Sequence, residues 1–194
     1  MTARQLFEAL RARVRSPEGN EPVSRKATLG LFADLGCLSL CEVSDASALA
    51  GNLFRQAFKV DIPRTPRHFV LIRRTASNSP LVLGYVHFTE AGSAYLAGGL
   101  VVSAMEFRRL DKETAELVRG QGGLAEWTMR TACGWLSDTD AVFACIGDNK
   151  SLYVNLRIGF MPTGQEYLHV LWKRHLDETS RQALIARVAS MGLF

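Results

Sequence analysis

The sequence predicts an α/β (α+β) fold with a mixed, mostly antiparallel central sheet and helices on both faces. Three observations carry this expectation. Residues 68–103 contain three strand-like runs in series, separated by turn clusters, which reads as an antiparallel meander. Segments of helical periodicity at 46–58 and 124–136 stand on either side of it. Further strand-like runs at 140–146 and 167–172 follow, so that strand, helix, meander, helix, strand, short helix and strand succeed one another.

The elements follow in order. Leu6, Phe7, Leu10 and Val14 give Met1–Arg15 the spacing of an amphipathic helix, and the loop 16–22, with Pro17, Gly19 and Pro22, ends it. A short helix over Thr28–Leu35 is expected before Gly36, then a strand at Leu38–Val43. Ser44-Asp45 supplies a cap for the helix Ala46–Phe58, whose Leu49, Leu53 and Phe58 can share a buried side. Pro63 and Pro66 make 59–67 irregular. Strands at His68–Arg73, Leu81–Thr89 and Ala94–Ser103 are divided by turns at 76–80 and 90–93, and the third, apolar throughout, reads as central. Phe107–Val118 and Leu124–Leu136 read as helices, Asp140–Ile146 as a buried strand, Ser151–Ile158 as a short helix, Tyr167–Trp172 as a strand and Asp177–Ala189 as a C-terminal helix.

At 194 residues and 21.4 kDa the chain suits one domain with one sizeable core. A hydrophobic share of 47% against 22% charged excludes global disorder. No apolar run approaches the roughly 18–20 residues that span a bilayer, and the N-terminal segment has no apolar core or small-residue cleavage site, so a cytoplasmic protein that does not enter the membrane is expected. Cys37, Cys41, Cys133 and Cys145 are scattered without paired metal-ligand spacing, so no metal is expected and the thiols read as reduced and structural. The net charge of +4 suits an anionic ligand. The arginines at 11–15, 64–74 and 108–109 lack the aromatic interleaving of a single-strand binder, and nucleic acid is not the expected partner.

Arg119-Gly120-Gln121-Gly122-Gly123-Leu124 is the run that speaks most directly to chemistry. Glycines let backbone N–H groups turn toward an anion, and the helix that follows adds the positive end of its dipole. The same run also reads as a plain loop joining two helices.

The element order, this run and a second landmark resemble the GNAT family of N-acyltransferases over roughly 38–174. The second landmark is Asp148-Asn149-Lys150-Ser151 leading through a helix to Gly159-Phe160. The resemblance implies a single GNAT-like domain over 1–194, with an N-terminal helical extension at 1–35, an acyltransferase-like core at 38–174 and a C-terminal helix at 175–194. It implies acetyl-CoA or another acyl-CoA as co-substrate, bound along Leu100, Val101 and Val102 of the central strand, at Arg119, Gly120, Gln121, Gly122 and Gly123, which would receive the pyrophosphate, and at Asp148 and Ser151. Two departures stand out. Leu124 replaces the family's small residue and is expected to crowd the loop, and residues 104–118 intervene between strand and loop, expected to fold aside as a helix.

The family's thiolate-protonating Tyr corresponds to Asn155, which cannot act as a general acid but can donate a hydrogen bond. Tyr153, two residues earlier on the helix, points elsewhere. Base candidates are His87, whose ordinary pKa suits the task, Glu106 just past the central strand, and Glu90 at the preceding turn. Glu126 reads as a surface or helix-start charge. The function implied is acyl transfer to a primary amine of a small molecule or protein. The alternative is a catalytically weak or inactive regulatory module that keeps the fold and binds acyl-CoA or a protein partner. A homodimer remains open.

Overall fold

A computed structural model describes residues 32–64, 67–75, 81–192 and 194. The helix expected at Met1–Arg15, the loop at 16–22 and the turn at 76–80 lie outside the described residues. β1 (Phe32–Leu35) and β2 (Leu38–Val43) pair antiparallel across a turn in which Gly36 takes φ +57°. The described end of the segment expected as helix, Thr28–Leu35, is therefore strand. Ala33 and Leu35 alternate onto the core while Asp34 bonds Ser39 and Arg74, a period of two that a short helical pattern does not outweigh.

α1 (Ser47–Phe58) starts where Ser47 N–H donates to Asp45 Oδ1 at 2.8 Å and ends at Lys59, φ +63°. Its buried stripe is Ala50, Gly51 and Phe54 rather than the expected face, and Phe58 is exposed. The meander follows as β3 (Arg67–Arg73), β4 (Leu81–Ala91) and β5 (Ala94–Val102), turning at Gly92. Glu90 belongs to β4, opposite Tyr95, instead of the turn.

The single helix expected at Phe107–Val118 is two. Ser103 caps α2 (Ala104–Phe107) and Asp111 caps α3 (Lys112–Gly120), each through a side-chain oxygen that accepts a backbone N–H. α3 packs against β1 with Val118 fully buried and Thr114 Oγ1 3.5 Å from Cys37 Sγ, so the segment between strand and glycine run folds aside. α4 (Leu124–Trp135), β6 (Ala141–Cys145), α5 (Asn149–Ile158), β7 (Met161–Pro162), β8 (Leu168–Trp172) and α6 (Glu178–Ala189) complete the described elements. β7, too short to give a period, is the one of these with no counterpart in the sequence reading.

The strands form an eight-stranded sheet in the order β1-β2-β3-β4-β5-β6-β8-β7, antiparallel throughout except for β5 with β6. Strand alternation feeds two faces. Phe69, Leu71, Val86, Phe88, Val142 and Ala144 meet α3 and α4 residues such as Val118, Trp127 and Cys133. On the other face Val70, Ile72 and Tyr85 meet Phe54 of α1, while Ala141 and Phe143 meet Leu184 and Val188 of α6. The fold class is the expected one.

Candidate functional site at the β5 bulge

β5 changes partner and shape halfway along. β6 pairs with it only from Ala94↔Ala141 to Ala97↔Ala144, so residues 98–102 have no pairing on that side among the described residues. On its other side the register with β4 slips between His87↔Gly98 and Tyr85↔Val101, leaving Gly99 and Leu100 in a bulge. Gly99 takes φ +63°, which glycine adopts without strain. The bulge also reverses alternation: Tyr95 and Ala97 face α4, and so do Leu100 and Val102, whereas Val101 faces α1. Of the three expected strand positions, Val101 and Val102 are paired with β4 and Leu100 is in the bulge.

His87 covers this bulge from the α1 side. A Cβ on Gly98 would stand 2.6 Å from His87 Nε2, and one on Gly99 would stand 3.0 Å from His87 Nδ1 and overlap the Phe54 ring. The imidazole is 9% exposed and its Nδ1 has no hydrogen-bond partner among the described residues. Burial, with His68 nearby, pushes its pKa down to about 4, so the ring is neutral at ordinary pH. Beside it Tyr85 Oη lies 2.7 Å from His68 Nδ1, and the Phe54, Tyr85 and His87 rings pack within 6.0 Å of one another. Burial also lowers the His68 pKa and raises that of Tyr85.

The glycine run is first a helix corner. Gly122 N–H donates to Arg119 O at 3.0 Å and Gly123 N–H to Val118 O at 2.9 Å, closing α3, of which Gly120 is the last residue. Gln121 is exposed, and Arg119 extends over the Phe107 ring at 5.7 Å instead of across the loop. Gly122 and Gly123 take φ +84° and +101° and deliver the chain to the N-terminus of α4. Leu124 turns into the core and does not crowd the loop. Glu126 does: its carboxylate lies on Gly122, buried, and pairs with Arg130 and Arg157. It is a helix-start charge, as expected, but not a surface one.

α5 presents its C-terminal Arg157 to this loop, with Nη2 donating to Gly122 O at 3.4 Å. Asp148 and Ser151 therefore sit at the other end of α5, roughly 13 Å and 9 Å along the axis from Arg157. There Asp148 accepts from Lys150 N and Ser151 N and from the Ser151 hydroxyl at 2.6 Å, which hold its carboxyl below the usual range. Asp148 thus caps α5 just after β6 ends, and the Ser151 hydroxyl holds the capping carboxylate. Asn155 is buried, its Nδ2 donating to Ser151 O at 2.8 Å and its Oδ1 unpartnered among the described residues. Tyr153 is exposed. Glu106, buried in α2, pairs with Arg109 at 2.8 Å and has no hydrogen bond or ion pair with His87 or Asn155 among the described residues.

Sequence reasoning singles out His87 but not Gly98, Gly99, Tyr85, His68 or Phe54. The Gly-Gly pair inside a strand is the available signal for the bulge. Tyr85 and His87 at spacing two are the signal that both side chains share a face. Burial raises the Cys41 and Cys133 thiols to about 12, which agrees with structural roles.

No family model and no curated protein matches the chain. Solved structures similar to it include AtaTR bound with AcCoA, at 18% identity, 76% of this chain, 98% of that chain and a TM-score of 0.41. AtaT complexed with acetyl-methionyl-tRNAfMet matches at 12% identity, 76% of this chain, 99% of that chain and a TM-score of 0.38. Escherichia coli ElaA matches at 16% identity, 65% of this chain, 90% of that chain and a TM-score of 0.37. At these scores the likeness assigns no function.

Proposed function

We propose that the chain is an acyl-CoA-dependent N-acyltransferase of the GNAT kind, acting on a primary amine of a small molecule or protein by direct attack on the thioester. The observation that carries this is the β5 bulge: a strand edge freed on one side by β6, with backbone out of register on the other and a neutral imidazole laid against it.

Each part has a task in that reaction. The unpaired edge at 98–102 offers backbone groups to an extended amide-bearing arm, the way a sheet edge receives an added strand. Backbone N–H at Gly99 or Leu100 polarises the thioester carbonyl and stabilises the oxyanion of the tetrahedral intermediate. The neutral His87 ring, its Nδ1 without a hydrogen-bond partner among the described residues, accepts the proton that the attacking amine loses. Asn155 supplies a hydrogen bond, and no proton, to the leaving thiolate. Arg130 and Arg157, with the α4 N-terminus that follows Gly122 and Gly123, receive the diphosphate, the N–H groups of these two glycines being already given to Arg119 O and Val118 O.

Thiol release from acetyl-CoA in the presence of a panel of primary amines tests the proposal. Amine-dependent release above background supports it. Release that stays at background while acetyl-CoA still raises the thermal midpoint favours the binding module, a reading to which Asn155 lends weight because it removes the acid.

A further inference from the structure

The glycine loop is already occupied by an anion of the chain's own. Glu126 stands at the third helical position of α4, and its side chain folds back so that a Cβ on Gly122 would overlap the carboxylate. The residue is 4% exposed. Arg130 pairs with Oε1. Arg157 Nε lies 2.7 Å from Oε2 in an ion pair whose geometry falls short of a hydrogen bond, so this buried oxygen has no hydrogen-bond donor among the described residues. The two arginine side chains are 43% and 58% exposed, and both also hold the loop, through Gln121 O and Gly122 O.

A seat built from a helix N-terminus, two φ-positive glycines and two arginines attracts any anion of suitable size. With Glu126 in place, an arriving diphosphate meets a like charge and must displace the carboxylate from Gly122 and from its arginines. A small free anion has only the seat itself to offset that exchange. A ligand that also lies along the β5 edge brings binding energy from elsewhere.

We propose that Glu126 is a specificity-determining residue: an internal anion that rejects free diphosphates at this loop and yields to a diphosphate only when the rest of the ligand is bound. This rests on the acyl-CoA reading of the site. Isothermal titration of the full chain and of Glu126→Gln, each with inorganic pyrophosphate and with CoA at one pH and salt concentration, tests it.

The expected result is pyrophosphate affinity at least tenfold higher in Glu126→Gln, with a smaller gain for CoA. Unchanged or weaker pyrophosphate binding by Glu126→Gln overturns the inference, because Glu126 then organises the arginines without competing. A pyrophosphate gain with no CoA binding by either protein sustains the role of Glu126 as an anion competitor and rejects the acyl-CoA reading. Should Glu126→Gln fail to fold, crystals of the unaltered chain soaked in pyrophosphate decide. An empty loop supports the inference, and a pyrophosphate ion on Gly122-Gly123, whether Glu126 is seated or displaced, overturns it.

Discussion

The imidazole of His87 rests on the backbone of Gly98, its cross-strand partner on β5, closely enough that a Cβ there would stand 2.6 Å from Nε2. Gly98→Ala must push the ring aside, at a cost of about 1–3 kcal/mol. Gly99→Ala should cost more, about 3 kcal/mol, because it adds a φ of +63° to an overlap with the Phe54 ring. Urea unfolding of the two variants checks the order; equal stability to the parent chain would remove the close packing on which the site depends.

His87 gives the chain a signature in acid. Its folded-state pKa of about 4 lies below the ordinary 6.5, so the folded chain binds fewer protons than the unfolded one. Its contribution is whole above pH 6.5 and is lost as the pH falls to about 4, up to about 3 kcal/mol. His68 is shifted the same way, whereas Asp45, Asp111, Asp148 and Asp177 are shifted below 3.8 and act in a more acid window. Thermal midpoints between pH 7 and 4 should fall less steeply in His87→Gln, and an identical slope would contradict a buried neutral imidazole. Amine-dependent turnover should likewise keep its enzyme-side acid limb near pH 4.

Tyr85→Phe keeps the ring in the Phe54 cluster and deletes the hydroxyl 2.7 Å from His68 Nδ1. It should cost about 1–3 kcal/mol, the range for leaving a buried polar group unsatisfied. A neutral result in chemical denaturation would mean that His68 finds another partner.

Gly122→Val forces a side chain into the Glu126 carboxylate at φ +84°. The loop should distort, and any rise in thermal midpoint caused by acetyl-CoA should disappear. A shift that survives the substitution would show that this loop does not hold the phosphates.

The legible and illegible parts divide by range. Leu38–Val43 coincides with β2, and the meander, α4 and α6 follow from local period and punctuation. β1 and β7 offer only four and two residues, too few for an alternation to stand out in the sequence, and each is defined by the neighbour that pairs with it. The run 94–103 reads as one apolar strand, because neither the end of β6 pairing at Ala97 nor the bulge at Gly99 has a local signature stronger than two glycines. Glu126 reads as a surface or helix-start charge, and its burial is not legible because it depends on Gly122 turning beneath it and on Arg157 arriving from α5.

The central claim is that acyl-CoA lies along the freed edge of β5 and reaches the glycine loop. Backbone amide NMR of the chain titrated with acetyl-CoA addresses it residue by residue. The account predicts saturable shifts at Gly98, Gly99, Leu100, Gly122 and Gly123, with no comparable set on β1 or α6. Amides of Gly98–Leu100 and Gly122–Gly123 that stay unmoved at saturating acetyl-CoA would contradict it.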